Sequence, residues 1–487
     1  MNIALIIIAA SLVLAIYLGV RARRGKDMDL EQWTVGGRGF GTIFVFLLMA
    51  GEIYTTFTFL GGSGWAYGEG GPAFYILGYG TLAYVTSYWL MPVVWRYAKE
   101  NKVVSQADFF VSKFGSANLG VLVSLVAVVA MVPYLALQLT GLGIIVSTAS
   151  YGTISSTVAV VIGLVAVTGY VMISGIHGSA WTAAVKDVMV LAVAIFLGIF
   201  LPLSLHGGFG PMFEQIEQAK GSEFLTLRGD YDVTWFITTV LLSALGFYMW
   251  PHTFGAALTS SSEDVFRRNA VILPLYQLIL LFIFFVGFAA VLSVPNLANG
   301  DLALLRISVE AFPPWLVGII GAAGLLTALV PGSLLLMVSA TLLVKNVYGA
   351  FAPRMTEERT VFYAKLVVPV VGLAALYFTL TGGQSIVILL LLGYSLVTQL
   401  FPALLLSVIP ATNGIVNKFG AAAGIVAGVA IVTGLTATGQ TLGTLFAWLP
   451  EGLHTVNVGI VGLVVNVIVM LAVSAATRAS TAPAEAA

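Results

Sequence analysis

The chain is 487 residues long, 59% hydrophobic and 9% charged, with 53 glycines and a formal net charge of zero. Such a composition belongs to an integral membrane protein of closely packed helices and excludes the soluble classes. A balanced charge supplies no basic face for nucleic acid, and the absence of cysteine excludes disulfides and cysteine-based metal or redox sites.

Hydropathy predicts an all-α polytopic protein of thirteen spans, several of them uncharged over the length needed to cross a hydrocarbon layer of about 30 Å. The first, 3–21, lacks a basic leader and a small-residue cleavage site and is read as a retained helix. The others follow at 40–66, 71–97, 116–148, 153–174, 178–203, 233–255, 267–294, 312–346, 360–380, 385–410, 414–436 and 455–477. Arg21, Arg23, Arg24, Lys26 and Arg38 come after the first span, and Arg96, Lys99, Lys102 and Lys113 after the third. Arg267 and Arg268 precede the eighth, Lys345, Arg354, Arg359 and Lys365 flank the ninth-to-tenth connection, and Lys418 and Arg478 come last. All thread to one side, against Lys220, Arg228 and Arg306 on the other, which predicts a cell-membrane protein with its N-terminus outside and its C-terminus in the cytoplasm. The outer loop at 204–232 is expected to form a short amphipathic cap, and the small, polar tail at 478–487 to be disordered.

Two spans carry breaks. The second reads MAGEIYTTFTFLGGSGW, with Gly51 beside Glu52 and then Gly61, Gly62 and Gly64; the seventh reads GFYMWPHTFGAA, with Pro251 in its middle. Proline removes a helical hydrogen bond and clashes with the preceding turn. Breaks five spans apart, at matching places in two halves, are the pattern of a transporter made of inverted repeats with its site at the midplane. Taken singly, close packing at glycine and a simple proline kink are the plainer readings. Glu52, Lys186 and Asp187 are the ionisable side chains placed deepest in the spans, and charge so costly there marks a transport or proton pathway.

VGGRGFG ahead of the second span, that span's Gly-rich end, PYLALQL with Gln138, Asp187 after WTAAVK, the Pro251-His252 pair and KNVY closing the ninth span resemble landmarks of the sodium:solute symporter family, over residues 30–410. GEIYTTFTF, PYLALQLTG, AAVKD and ALVP are similar to its monocarboxylate permease branch, which takes up lactate, pyruvate and related short acids. The resemblance implies two inverted five-helix repeats at 31–203 and 233–410, after an extra helix in 1–30 and before two more in 411–477.

In relatives, two adjacent hydroxyl residues on the ninth span offer side-chain oxygens to sodium, with backbone carbonyls of that span and of the broken second span. Counting back from Asn346-Val347-Tyr348, that pair falls on Val330 and Pro331, and Thr327 on a carbonyl position. A hard cation requires oxygen ligands, so the metal site reads as depleted, and Thr327 and Ser333 restore it only if the alignment slips. Lys186 stands where relatives have a neutral residue. Its ammonium can take the ion's place against the carbonyls of Gly51 and Tyr54, with Asp187 or Glu52 as counter-charge, as resembles proton-coupled amino-acid carriers in which a lysine replaces the ion. Burial disfavours a charged lysine and carboxylates favour it. The expectation is therefore proton coupling, with sodium coupling as the alternative and a purely structural pair as the plainer reading. Glu52 is either counter-ion to Lys186 or a second proton carrier.

The substrate is expected where the breaks face each other, because exposed N–H groups at a helix N-terminus can hold a carboxylate without an intramembrane Arg. Tyr54, Thr55, Thr56, Gln138, Trp250 and His252 are its expected lining, and Tyr394 and Gln399 its outer gate. The plainer readings are packing for Trp250, hydrogen bonds to their own helix for Thr55 and Thr56, and a structural role for His252. Asp108, in SQADFFVSKFG, is expected to cap a helix, and Glu69 to be solvated. No cofactor and no obligate protein partner are expected, only a small organic acid and the bilayer. His177, His206, His252 and His454 are scattered, against a hydrolase, and no filter repeat points to a channel. The rival reading is a sodium symporter for proline, pantothenate or a sugar.

Overall fold

The computed structural model describes residues 2–23, 30–352 and 354–478, without the side chains of 23, 174, 175 and 177. Arg24, Lys26 and all of the expected tail but Arg478 lie outside the described residues. The described residues are helical, with no strand and two isolated bridges, Phe40 to Ser260 and Arg228 to Tyr231. Ten helices are long and apolar enough to cross a bilayer, or twelve if each of two bent pairs is one span. The third expected span is the helix Tyr75–Glu100, whose 26 residues have the length but are rich in Tyr and end on Arg96, Lys99 and Glu100, so thirteen is not reached on apolarity.

Three boundaries differ from expectation. The fifth and sixth spans lie within one run of helical backbone, Ser156–His206, where no proline stops the ladder before Pro202. The eighth is divided into Glu263–Gln277 and Leu280–Ser293 by a tight turn at Leu278 and Ile279. The ninth, Pro314–Thr341, widens into a π-helix over Leu342–Tyr348.

The breaks fall in the second and seventh spans. Thr42–Ile53 and Phe57–Gly68 meet at 49°, and Val233–Met249 and Pro251–Leu258 at 54°. Gly64 lies so close to the backbone of Gly300 that an added Cβ would sit 2.9 Å from it, and this close approach fixes the outer half of the second span. The first helix, Ile3–Arg23, lies on the ninth at Gly318 and Gly321, which face Ala4 and Ile8. The last two helices, Lys418–Thr438 and Val458–Ala476, pack on each other through Gly420, Gly424 and Gly428, one turn apart, as small residues do where lipid supplies no hydrophobic drive. Within the loop at 204–232, Phe209–Lys220 forms an amphipathic helix that buries Met212 and Ile216.

Two aspartates clasp the connections. Asp108 forms a capping box with Ser105 on Gln106–Phe114 and also takes the ammonium of Lys345 and, at 2.8 Å, the amide of Asn346. Asp301, passed over in the sequence, is buried and accepts from the N–H of Ile386 at 3.0 Å. Glu69, expected to be solvated, is half-buried, and this raises its pKa.

Burial raises the pKa of Asp108, but the charge and hydrogen bonds of Lys345, with those of Asn346 and the Val104 N–H, outweigh it and hold the carboxyl below its ordinary value. A lowered carboxylate stabilises the fold above its unfolded pKa and loses that contribution as pH falls through the folded one. Asp108→Asn is expected to cost about 1–2 kcal/mol at neutral pH, read as a lower melting temperature in detergent. The gap to the parent should close as pH falls below 3.8; a gap unchanged with pH would deny the ion pair.

Candidate functional site

The second-span break begins where Tyr54 leaves the helix, at φ −80° and ψ 71°. Its backbone is rejoined by hydroxyls. Thr58 Oγ1 donates to the carbonyls of Ile53 and Thr55, at 2.8 and 3.0 Å, and Thr55 Oγ1 accepts from the N–H of Phe57. Carbonyls freed by the break have no water to turn to in a bilayer core. Lys186 supplies the donor: its Nζ lies 3.3 Å from the carbonyl of Gly51, 3.1 Å from that of Tyr54 and 3.0 Å from Asp187 Oδ1. Both side chains are buried, Lys186 completely. Apart from Lys186, Asp187 has no polar partner among the described residues.

Glu52 is not the counter-ion of Lys186. It turns to the seventh-span break, where its Oε2 lies 2.7 Å from His252 Nε2 and 3.4 Å from Thr253 Oγ1. Proline at the first position of Pro251–Leu258 presets the helix start, and the extended Trp250 before it sets His252 and Thr253 in the first turn. Aromatic rings surround the pair. Tyr134 lies 4.9 Å from Trp250 and 5.2 Å from His252, and Trp250 lies 5.3 Å from Tyr394, all between centroids.

The expected lining is thus only partly gathered. Trp250, His252 and Tyr394 share one cluster with Glu52, and Tyr134 and Thr253 join it unforeseen. Tyr134 stands one helical turn before Gln138 in the PYLALQL segment already singled out, a signal that could have found it. Tyr54 presents its carbonyl to Lys186, while its hydroxyl donates to the carbonyl of Tyr276 at 2.8 Å. Thr55 Oγ1 accepts the Phe57 N–H in closing the break and meets the Tyr134 hydroxyl of the cluster. Thr56 is packed against Gly141, with its hydroxyl unpartnered among the described residues. Gln138 lines an apolar crevice with Val167, Ala328 and Gly332, and its amide has no partner among the described residues. Gln399 is no companion of Tyr394: its Nε2 donates to the carbonyl of Gly459, and Asn466 donates back to its carbonyl oxygens, tying the last helix to the eleventh span.

On the ninth span Val330 and Pro331 are buried and bring no side-chain oxygen. Thr327 Oγ1 donates to its own helix at Gly324, and Ser333 Oγ to Val330, 3.0 Å from Ser179 Oγ. Pro331 has no N–H, so the carbonyl of Thr327 lacks its intrahelical donor.

A helical membrane protein whose two broken spans meet at a buried Glu52–His252 contact, beside a buried Lys186–Asp187 ion pair, is a solute transporter of the symporter kind. The chain belongs to the sodium:solute symporter family, which matches residues 33–428. It is 63% identical, over 98% of each chain, to an uncharacterized symporter, YhjB, of Bacillus subtilis. It is 30% identical, over 95% of this chain and 94% of the relative, to a monocarboxylate transport permease protein of Rhizobium johnstonii. A Na+-coupled sialic acid symporter in a substrate-bound, outward-open state shares the fold, with a TM-score of 0.80 at 18% identity over 100% of this chain and 99% of its own.

Removing one partner of a buried pair strands the other. Lys186→Met is therefore expected to destabilise by about 3–5 kcal/mol, and Lys186→Met with Asp187→Leu to recover part of that loss in thermal unfolding. A double variant that melts below the single one would show that the two groups do not compensate each other.

Proposed function

We propose that the protein is a proton-coupled symporter that brings a small monocarboxylate, such as lactate or pyruvate, across the cell membrane by alternating access, with its N-terminus outside. The observation that carries this reading is the Lys186 ammonium between the Gly51 and Tyr54 carbonyls of the second-span break. A fixed amine there takes up the carbonyl dipoles that would otherwise be offered to a mobile cation, and Val330 and Pro331 add no oxygen. Proton loading and release at the Lys186–Asp187 pair then replaces the binding and release of sodium. Similarity to a monocarboxylate permease supports the substrate class. So does the first turn of Pro251–Leu258, which offers N–H groups and the His252 imidazole to an anion within an aromatic wall.

A monoanion entering with one proton carries no net charge, so the membrane potential, worth about 2.3 kcal/mol per charge per 100 mV, does not drive that stoichiometry. In proteoliposomes, uptake of labelled lactate or pyruvate should follow an inward proton gradient with sodium absent and ignore an imposed potential. Uptake that collapses on sodium withdrawal at a fixed pH gradient would refute it in favour of a sodium symporter. Lys186→Ala, folded by size-exclusion, should lose accumulation against a gradient; unchanged accumulation would return Lys186 to a structural role.

A further inference from the structure

We infer that Glu52 is an internal stand-in for the substrate: in the empty carrier its carboxylate occupies the place on His252 that the carboxylate of a small organic acid takes when bound. The inference rests on the monocarboxylate reading above and adds the subsite and the competitor within it. Glu52 reaches His252 from the opposite broken span, with both side chains 1% exposed and 2.7 Å between Nε2 and Oε2. Thr253, the next residue of the same first turn, holds the same oxygen at 3.4 Å. A side chain ending in a carboxylate, received by an imidazole and a hydroxyl beside the open turn of a helix, is an acetate-sized anion already seated in an anion receptor. The rings of Trp250 and Tyr134 flank His252, at 5.8 and 5.2 Å between centroids, and offer an apolar wall for the two or three carbons beyond the carboxylate.

Three polar atoms of the pair have no hydrogen-bond partner among the described residues, Glu52 Oε1 and both ring nitrogens of His252; Glu52 Oε2 lies close to Nε2 without a well-aligned hydrogen bond, so the internal pair leaves hydrogen-bonding capacity that a second carboxylate can take. The other titratable groups around the pair are committed elsewhere. Lys186 is held by Asp187 and the Gly51 and Tyr54 carbonyls, Tyr84 donates to Met49, Tyr134 to the backbone of Glu52, and Tyr54 to that of Tyr276. Glu31 is paired with Arg38, Asp108 with Lys345, and Lys113 lies over Tyr97. His252 is thus the free receptor once Glu52 swings away, and the carboxylate so released remains on the broken turn that Lys186 caps. Substrate arrival at one buried pair is in this way felt at the other.

A competitor built into the protein lowers apparent affinity by the fraction of carriers it occupies. Binding of lactate, pyruvate and acetate to the purified full chain, followed by quenching of tryptophan fluorescence, tests this. Glu52→Gln removes the competing charge, and Glu52→Asp keeps it but withdraws it by one methylene. Each is expected to bind the acid about tenfold more tightly than the parent, a gain that damage to the fold does not produce, and His252→Gln is expected to lose binding. If either soluble Glu52 variant binds no more tightly than the parent, Glu52 supports the receptor instead of competing for it, and the inference falls while the monocarboxylate reading stands. If neither the parent nor the variants bind any of the three acids, both fall together.

Discussion

A broken helix in a bilayer leaves backbone groups that no solvent can satisfy, and the organisation of this site follows from that constraint. At the second-span break the groups of concern are carbonyls, and a donor with several hydrogens is required. Lys186 answers for Gly51 and Tyr54 together. A buried ammonium in turn requires an anion, and Asp187 stands beside it. At the seventh-span break the carboxylate of Glu52 meets side chains of the first turn, the His252 imidazole and the Thr253 hydroxyl.

Glu52 lies between Gly51 and Tyr54 in the chain, so one short turn is tethered by its carbonyls to Lys186 and by its side chain to His252. The two pairs are therefore joined through backbone and not through a long relay of side chains. Thr55 and Thr58 stitch the turn to itself.

Much of this was legible in the chain because the signals are local. Spans follow from apolar length, the breaks from Gly-Glu and Trp-Pro-His inside apolar runs, and the neighbourhood of Lys186 from its place beside Asp187 on a family pattern. The pairing of Glu52 with His252 was not legible, because two hundred residues separate them and the side-chain direction at a break depends on φ and ψ that no periodicity gives. The backbone role of Thr55 was hidden for the same reason: a hydroxyl at a break also serves the backbone. The amide bonding of Gln399 with Asn466 was likewise not legible, since a polar residue in a span does not declare which helix it meets. The third span was legible by position only, its Tyr content and charged last turns placing it below the apolarity of its neighbours.

Outside the membrane core, the connections at the two ends of the ninth span are held by aspartates that burial treats alike and their partners treat differently. Asp108 meets a lysine and is held below the ordinary carboxylate value. Asp301, with the Ile386 N–H as partner, is pushed up to about 6 by burial against the lowering effect of that bond. A raised carboxylate is protonated in the folded state and ionised in the unfolded one between its two pKa values, so between pH 3.8 and about 6 acid favours the fold at Asp301. At Asp108 the sign is reversed, and acid below 3.8 removes support. The clasp on one end of the ninth span therefore loosens in acid while the other is relieved of a buried charge. Two similar aspartates thus give the span ends unlike responses to pH, because only one of them was given a cation.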